Sequence, residues 1–197
     1  MILVVDATAF SQKSAVREVR AIVMLMANQL SGTMSDEYAK NQTSESNPVL
    51  GRLDRLVGEW ETEATIDGQT FGEERVTFDW LEDGAFLVQH SEAVDLSGAP
   101  TEWVENVPHS TVSVVGLDDV SEQFTMLYAD SRGVFRVYQM SLSNGVWKIW
   151  RDAPGFSQRF TGTFNDDGDM IESTWERSDD GVEWEVDFDL TYMRVGE

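Results

Sequence analysis

The chain has no cysteine. Disulfide staples, thiolate zinc sites, iron–sulfur clusters and cysteine nucleophiles are therefore excluded, while the redox compartment stays open. Lysine is scarce: of fourteen basic residues, eleven are arginine and only Lys13, Lys40 and Lys148 are lysine. Histidine is limited to His90 and His109, a pair that does not by itself make a zinc site and that reads as ordinary polar residues, with mid-strand His90 the better functional candidate. No apolar run approaches the roughly 18 residues that a membrane-spanning helix needs. Glycine-rich phosphate loops, G-x-S-x-G and H-E-x-x-H are all missing. The sequence thus carries no catalytic signature, and neither a metal nor a cofactor is expected.

What is abundant is acid. Thirty-six Asp and Glu against fourteen Lys and Arg leave a net charge of −22. Such a surface repels nucleic-acid phosphates and anionic lipid headgroups, so neither partner is expected. A carboxylate-rich, lysine-poor surface suits a cytoplasm at molar salt, where self-repulsion is screened over a few ångströms. The expectation is a cytoplasmic protein of a halophile, against the plainer alternative of an ordinary acidic protein. The sequence allows a homodimer.

Residues 1–47 form an N-terminal extension unlike the rest. It has few acids before Met34, a helix is compatible with Ser14 to Leu30, and a polar segment without apolar period follows to Asn47. Either translation starts at Met34 or an amphipathic helix packs on the domain. Ala21 to Ala27 loosely resembles a signal peptide, but the preceding segment is too long and carries Asp6 and Glu18.

Residues 48–197 read as one domain. Pro48 opens a short helical pattern with Val49, Leu50, Leu53, Leu56 and Val57 on one side, ended by Gly58. Strand after strand follows, each cut off by turn chemistry: Asp67-Gly68, Asp83-Gly84, Asn144-Gly145, Pro154-Gly155, Asp167-Gly168 and Asp180-Gly181. The segment from Asn165 to Asp169 lacks the calcium-loop spacing and reads as a hairpin turn. Ser97 to Ser110 reads as a longer loop, with Trp103 a portal candidate. A chain that turns back this often has no room for crossover helices, so the class is all-β: an antiparallel meander of about ten strands, which closes into a barrel to remove its edges.

Period-2 alternation separates inside from outside. In the last strand Trp184, Val186, Phe188, Leu190, Tyr192 and Arg194 share one face, opposite Glu183, Glu185, Asp187 and Asp189. Trp60, Thr62, Ala64 and Ile66 point in from the first strand, Val76, Phe78 and Trp80 from the second, and Ile171, Ser173, Trp175 and Arg177 from the ninth. The row Val134, Arg136, Tyr138, Met140, Leu142 alternates with Phe135, Val137 and Gln139, and periodicity leaves the buried face open there.

A short helix, Gly58-Glu59-Trp60 at the head of the first strand, and Arg194 on the last resemble the calycin superfamily of lipocalins, fatty-acid-binding proteins and nitrobindins. The resemblance implies that Trp60 closes one end of the barrel and packs on Arg194, behind Gly58. Leu56-Val57-Gly58-Glu59-Trp60, Asp130-Ser131-Arg132-Gly133-Val134, Trp147-Lys148-Ile149-Trp150-Arg151 and Pro154-Gly155-Phe156-Ser157-Gln158-Arg159-Phe160 resemble, more closely, a lipocalin-like family described only as a domain of unknown function. It implies a fold and no activity. Haem-binding nitrobindins place an axial histidine late in the barrel, where this chain has Thr191 and Tyr192.

Arg136 and Tyr138, two apart on one strand, share a face, and guanidinium and phenol can together hold a carboxylate. Fatty-acid-binding proteins use an Arg-x-Tyr pair this way on the last strand, which here carries Tyr192 and Arg194 in the opposite order. Arg132, Arg151, Arg159 and Gln158 are further polar candidates, unless these arginines pair with carboxylates outside. The leading expectation is a barrel that binds a small, partly apolar molecule, with or without an anionic head, through Arg136, Tyr138, Arg159, Arg151, Arg132 and Tyr192. The alternatives are an enzyme in the same cavity, less favoured, or a packed barrel acting through its surface.

Overall fold

Each expected turn bends the chain back by one strand. At Asn144-Gly145 both residues adopt left-handed backbone, φ 52° and 74°, which asparagine and glycine tolerate and which matches the twist of the flanking strands. A computed structural model describes residues 47–196; the expectations for the extension, including the helix and the start at Met34, lie outside the described residues. A 3-10 helix (Leu50–Arg55) precedes β1 (Gly58–Ile66), β2 (Gln69–Leu81), β3 (Phe86–Asp95), α1 (Thr101–Asn106), β4 (Ser110–Leu117) and β5 (Phe124–Asp130). Then come β6 (Phe135–Ser143), β7 (Val146–Arg151), β8 (Ser157–Phe164), β9 (Met170–Ser178) and β10 (Glu185–Arg194). Every strand pairs antiparallel with its sequence neighbour, and β10 pairs with β1, so the ten strands form a closed meander barrel.

The two ends of the barrel differ. One is plugged by the 3-10 helix, whose Leu53 and Leu56 are fully buried. Trp60 stands opposite Arg194 in the β1–β10 register, and its Nε1 donates to the Leu56 carbonyl at 2.8 Å. The Arg194 guanidinium lies 4.2 Å from the Trp60 ring centre and donates to the carbonyls of Val57 (2.7 Å) and Arg55 (2.6 Å). Gly58 has a φ of 122°, and a Cβ there would sit 2.9 Å from Arg194 Nη1. Glycine is thus required twice over, by backbone and by space.

From this end an aromatic chain climbs the inner wall. Trp60 meets Tyr192 and Tyr192 meets Trp147 at 6.3 and 5.8 Å between ring centres. Trp147 packs on Phe160 at 4.7 Å, Phe160 on Trp175 at 5.1 Å, and Trp175 on Tyr138 at 6.3 Å. The plugged half is closely filled. Toward the other end inward-facing Ala93, Thr111, Tyr128, Trp175 and Phe188 are only half-buried, so the lumen widens.

Three expectations need correction. Trp184 and Val186 do not continue the inner row of β10. The β9–β10 register shifts between Val186 and Phe188, and the extra residue inverts the alternation beyond it. Val186 is 63% exposed, and Trp184 lies against the Arg159 guanidinium. Arg177 sits at the rim, bonded to Glu185 at 2.8 Å, rather than inside. The segment after β3 is not all loop: α1 lies within it, and its Trp103 packs against Phe71 and Phe188 at the wide end, with ring centres 6.0 and 6.3 Å apart.

Candidate functional site

On β6 the inner row is Arg136, Tyr138, Met140 and Leu142, with Tyr138, Met140 and Leu142 buried. Phe135 and Val137 point outward, 66% and 48% exposed. The β6–β7 ladder stops at Gln139–Trp150, whereas β6 stays paired to β5 as far as Phe135, and β7 to β8 as far as Arg151. The two strands therefore part toward the wide end. A cleft of about 430 Å³ opens there, lined by Phe135, Arg136, Val137, Gln139, Trp150, Arg151 and Asp152.

Behind it lies a polar cluster. Arg136 Nη1 donates to Gln158 Oε1 at 2.8 Å and lies 3.4 Å from the Tyr138 hydroxyl. That hydroxyl donates to the same Gln158 oxygen at 2.7 Å. The Arg136 guanidinium also lies 4.6 Å from the Phe156 ring centre, and that of Arg151 is 5.9 Å from the Tyr138 ring centre. Among the described residues no carboxylate lies within ion-pair distance of Arg136 or Arg151. Among the described residues most of their N–H donors find no acceptor. Positive charge and aromatic rings thus meet at one edge of the cleft.

Arg132 has another role. It bonds Asp130 through Nε (3.1 Å) and Nη2 (2.6 Å), and its Nη1 donates to the Asn106 carbonyl of α1. The Tyr128 hydroxyl donates to the same Asp130 at 2.9 Å. Burial pushes the Asp130 carboxyl up, but the bonds from Arg132, Tyr128 and the backbone of Arg132 and Val134 pull it down to about 2. Burial, and then the bond to Asp130, push the Tyr128 phenol up. This cluster ties the β5–β6 turn to the segment that carries Trp103.

Arg159 does not line the interior. It pairs with Glu176 through two bonds of 2.6 Å on the outer wall, since Phe160 beside it faces in. Tyr192 is inside but deep, against Trp60 and Trp147. His109 is exposed. His90 stands in the outer row of β3, paired with Thr77 and Val112. Its Nε2 finds no partner among the described residues, and burial lowers its pKa against the raising pull of Asp79 and Glu92. The structure thus brings Arg136, Tyr138, Arg151 and Gln158 together, and leaves Arg132 engaged at the rim.

One interior group escaped the sequence reading. Glu74 stands opposite Thr62 in the β1–β2 register, and Thr62 is fully buried, so Glu74 faces inward. The row Val76, Phe78, Trp80 held the signal, since Glu74 is its next member.

No protein-family model matches the chain, and neither does any curated protein sequence. Among solved structures, the chain is similar to Rv2717c from M. tuberculosis, at 17% identity and a TM-score of 0.49 over 77% of this chain and 100% of that one. It is also similar to a protein of unknown function from the DUF3598 family, Npun_R4044 of Nostoc punctiforme PCC 73102, at 7% identity and a TM-score of 0.24 over 76% and 100%. Likenesses this distant carry neither fold nor function to the chain.

Proposed function

We propose that this is a calycin-like, lipocalin-type barrel that binds a small, partly apolar, anionic ligand where β6 and β7 part. The anionic head lies on Arg136 and Arg151, and the apolar body lies along Tyr138, Phe156 and Trp175 toward the lumen. One observation carries the reading: in a chain as acidic as this, two neighbouring guanidiniums at a cleft have no carboxylate partner among the described residues. Holding arginine partly out of water without a counter-ion costs stability, so the arrangement is better explained by a ligand's charge than by folding. The same reading places the protein in a salt-rich cytoplasm, without nucleic-acid or membrane partners, on the strength of its −22 charge.

Calorimetric titration with medium-chain alkyl carboxylates and the matching alcohols tests it. The carboxylates bind and the alcohols bind at least about tenfold more weakly, the effect of one charge-assisted hydrogen bond. Arg136→Ala and Arg151→Ala each reduce carboxylate affinity by a similar factor. Equal affinity for acid and alcohol, or variants that bind like wild type, would overturn the reading.

A further inference from the structure

Across the lumen from the arginines, the β2 wall carries the opposite charge. Glu74 projects inward between Thr62 on β1 and Ala93 on β3. In a closed ring of ten strands β2 is four places from β6 and five from β7, so Glu74 and the Arg136–Arg151 pair stand on opposite walls. Among the described residues no Lys, Arg or His reaches the Glu74 carboxyl, and only the hydroxyls of Ser91 and Thr62 are within its reach. Glu74 is hemmed in by the wall, which desolvates the carboxyl and raises its pKa, yet part of its surface stays accessible. A side chain both surrounded and accessible lines open space.

Two neighbours are also unsatisfied. Tyr192, 4% exposed and close enough for its phenol to feel the Glu74 charge, makes no hydrogen bond through its hydroxyl to any described residue. Trp147, packed on Tyr192, has a sealed Nε1 with no acceptor among the described residues. A buried indole N–H without a partner is uncommon enough to need an explanation. Between the two poles the inner wall carries Ser91 and Thr111, opposite each other on β3 and β4, and Tyr128 on β5.

From these positions we infer that the ligand is zwitterionic, with its carboxylate on Arg136 and Arg151 and an ammonium group on Glu74. The inference rests on the anion site proposed above and adds the second pole. An ammonium donates to Glu74 and neutralises a carboxylate that has no cation of its own. Net charge supports the assignment: a field set by −22 charges opposes the approach of a simple anion but not of a molecule whose own charges cancel. Trp175, Tyr128 and Tyr138 flank the space between the poles and take the apolar linker.

The test is titration of wild type and Glu74→Gln with ω-aminocarboxylates of increasing chain length, their des-amino carboxylates and the matching alkylamines. In wild type the aminocarboxylate of best-fitting length binds at least about tenfold tighter than its des-amino counterpart, the effect of one charge-assisted bond. Glu74→Gln, a near-isosteric change, abolishes that preference and leaves des-amino carboxylate affinity within about twofold. Wild-type protein that binds both series equally would overturn the inference while leaving the anion site standing, and this comparison needs no variant to fold. A preference that survives in Glu74→Gln would overturn it as well. If neither series binds, the anion site and the second pole fall together.

Discussion

Replacing Trp60 by alanine empties the plug of the barrel. The indole is fully buried, touches Phe164 and Tyr192 edge-on with ring centres 6.3 Å apart, lies under the Arg194 guanidinium at 4.2 Å and bonds the Leu56 carbonyl. Loss of a buried tryptophan side chain costs about 3–5 kcal/mol, a large share of the ~5–15 kcal/mol that holds a domain of this size. The edge-on ring contacts and the cation–π contact, each about 0.5–2 kcal/mol, place the loss in the upper part of that range. Trp60→Phe keeps most of the ring and loses the N–H donor, so it costs roughly 1–2 kcal/mol. Arg194→Met keeps the apolar stem and removes three bonds to carbonyls. A double-mutant cycle of Trp60→Phe with Arg194→Met isolates their coupling, expected at about 0.5–2 kcal/mol. Urea unfolding followed by far-ultraviolet circular dichroism reads all of these. With a slope of about 2 kcal/mol/M, the Trp60→Ala midpoint falls by roughly 2 M. A midpoint within error of wild type, or zero coupling between Trp60 and Arg194, would refute the view that this contact closes the barrel.

Two further outcomes follow from charge. Melting temperature rises as potassium chloride increases from low to molar concentration, because a shorter Debye length, about 3 Å at 1 M, relieves the repulsion of −22 charges; a flat or falling melting temperature would remove the halophilic reading. Asp130 titrates near 2 when folded, below the ~3.9 of an unfolded aspartate. Its contribution is therefore complete above the unfolded value and is lost as pH falls from about 4 toward 2. Asp130→Asn flattens the pH dependence of melting in that window and speeds hydrogen exchange in Thr101–Asn106, tied to the same cluster through Arg132; unchanged exchange there would show that Arg132 does not fasten the segment.

Much of the fold was legible because it rests on local rules. Turn residues set the hairpins, and alternation placed Trp60, Val76, Phe78, Leu190 and Tyr192 inside without reference to any distant contact. What failed depends on features that alternation does not encode. The irregularity before Phe188 inverts the faces of Trp184 and Val186, and nothing in Glu185-Val186-Asp187 marks it. The six residues of α1 (Thr101–Asn106) are too few for a helical period to stand out. At the candidate site, Arg136 and Tyr138 were legible as a pair, but the opening beside them was not, since it arises where one ladder ends before its neighbours. Two signals were present and went unread. The inward row of β8, Phe160, Gly162, Phe164, turns Arg159 outward, and the inward row of β2 turns Glu74 in.

The central claim is that Arg136 and Arg151 receive the anionic head of a ligand between β6 and β7. A crystal structure with a brominated alkyl carboxylate tests it most directly, because bromine anomalous scattering fixes the apolar end and electron density fixes the head. The account predicts carboxylate oxygens within hydrogen-bonding distance of the free N–H groups of Arg136 and Arg151, and the bromine on the lumen side among Tyr138, Phe156 and Trp175. A ligand seated elsewhere, or both guanidiniums turned onto Asp152 with the cleft closed, would contradict it.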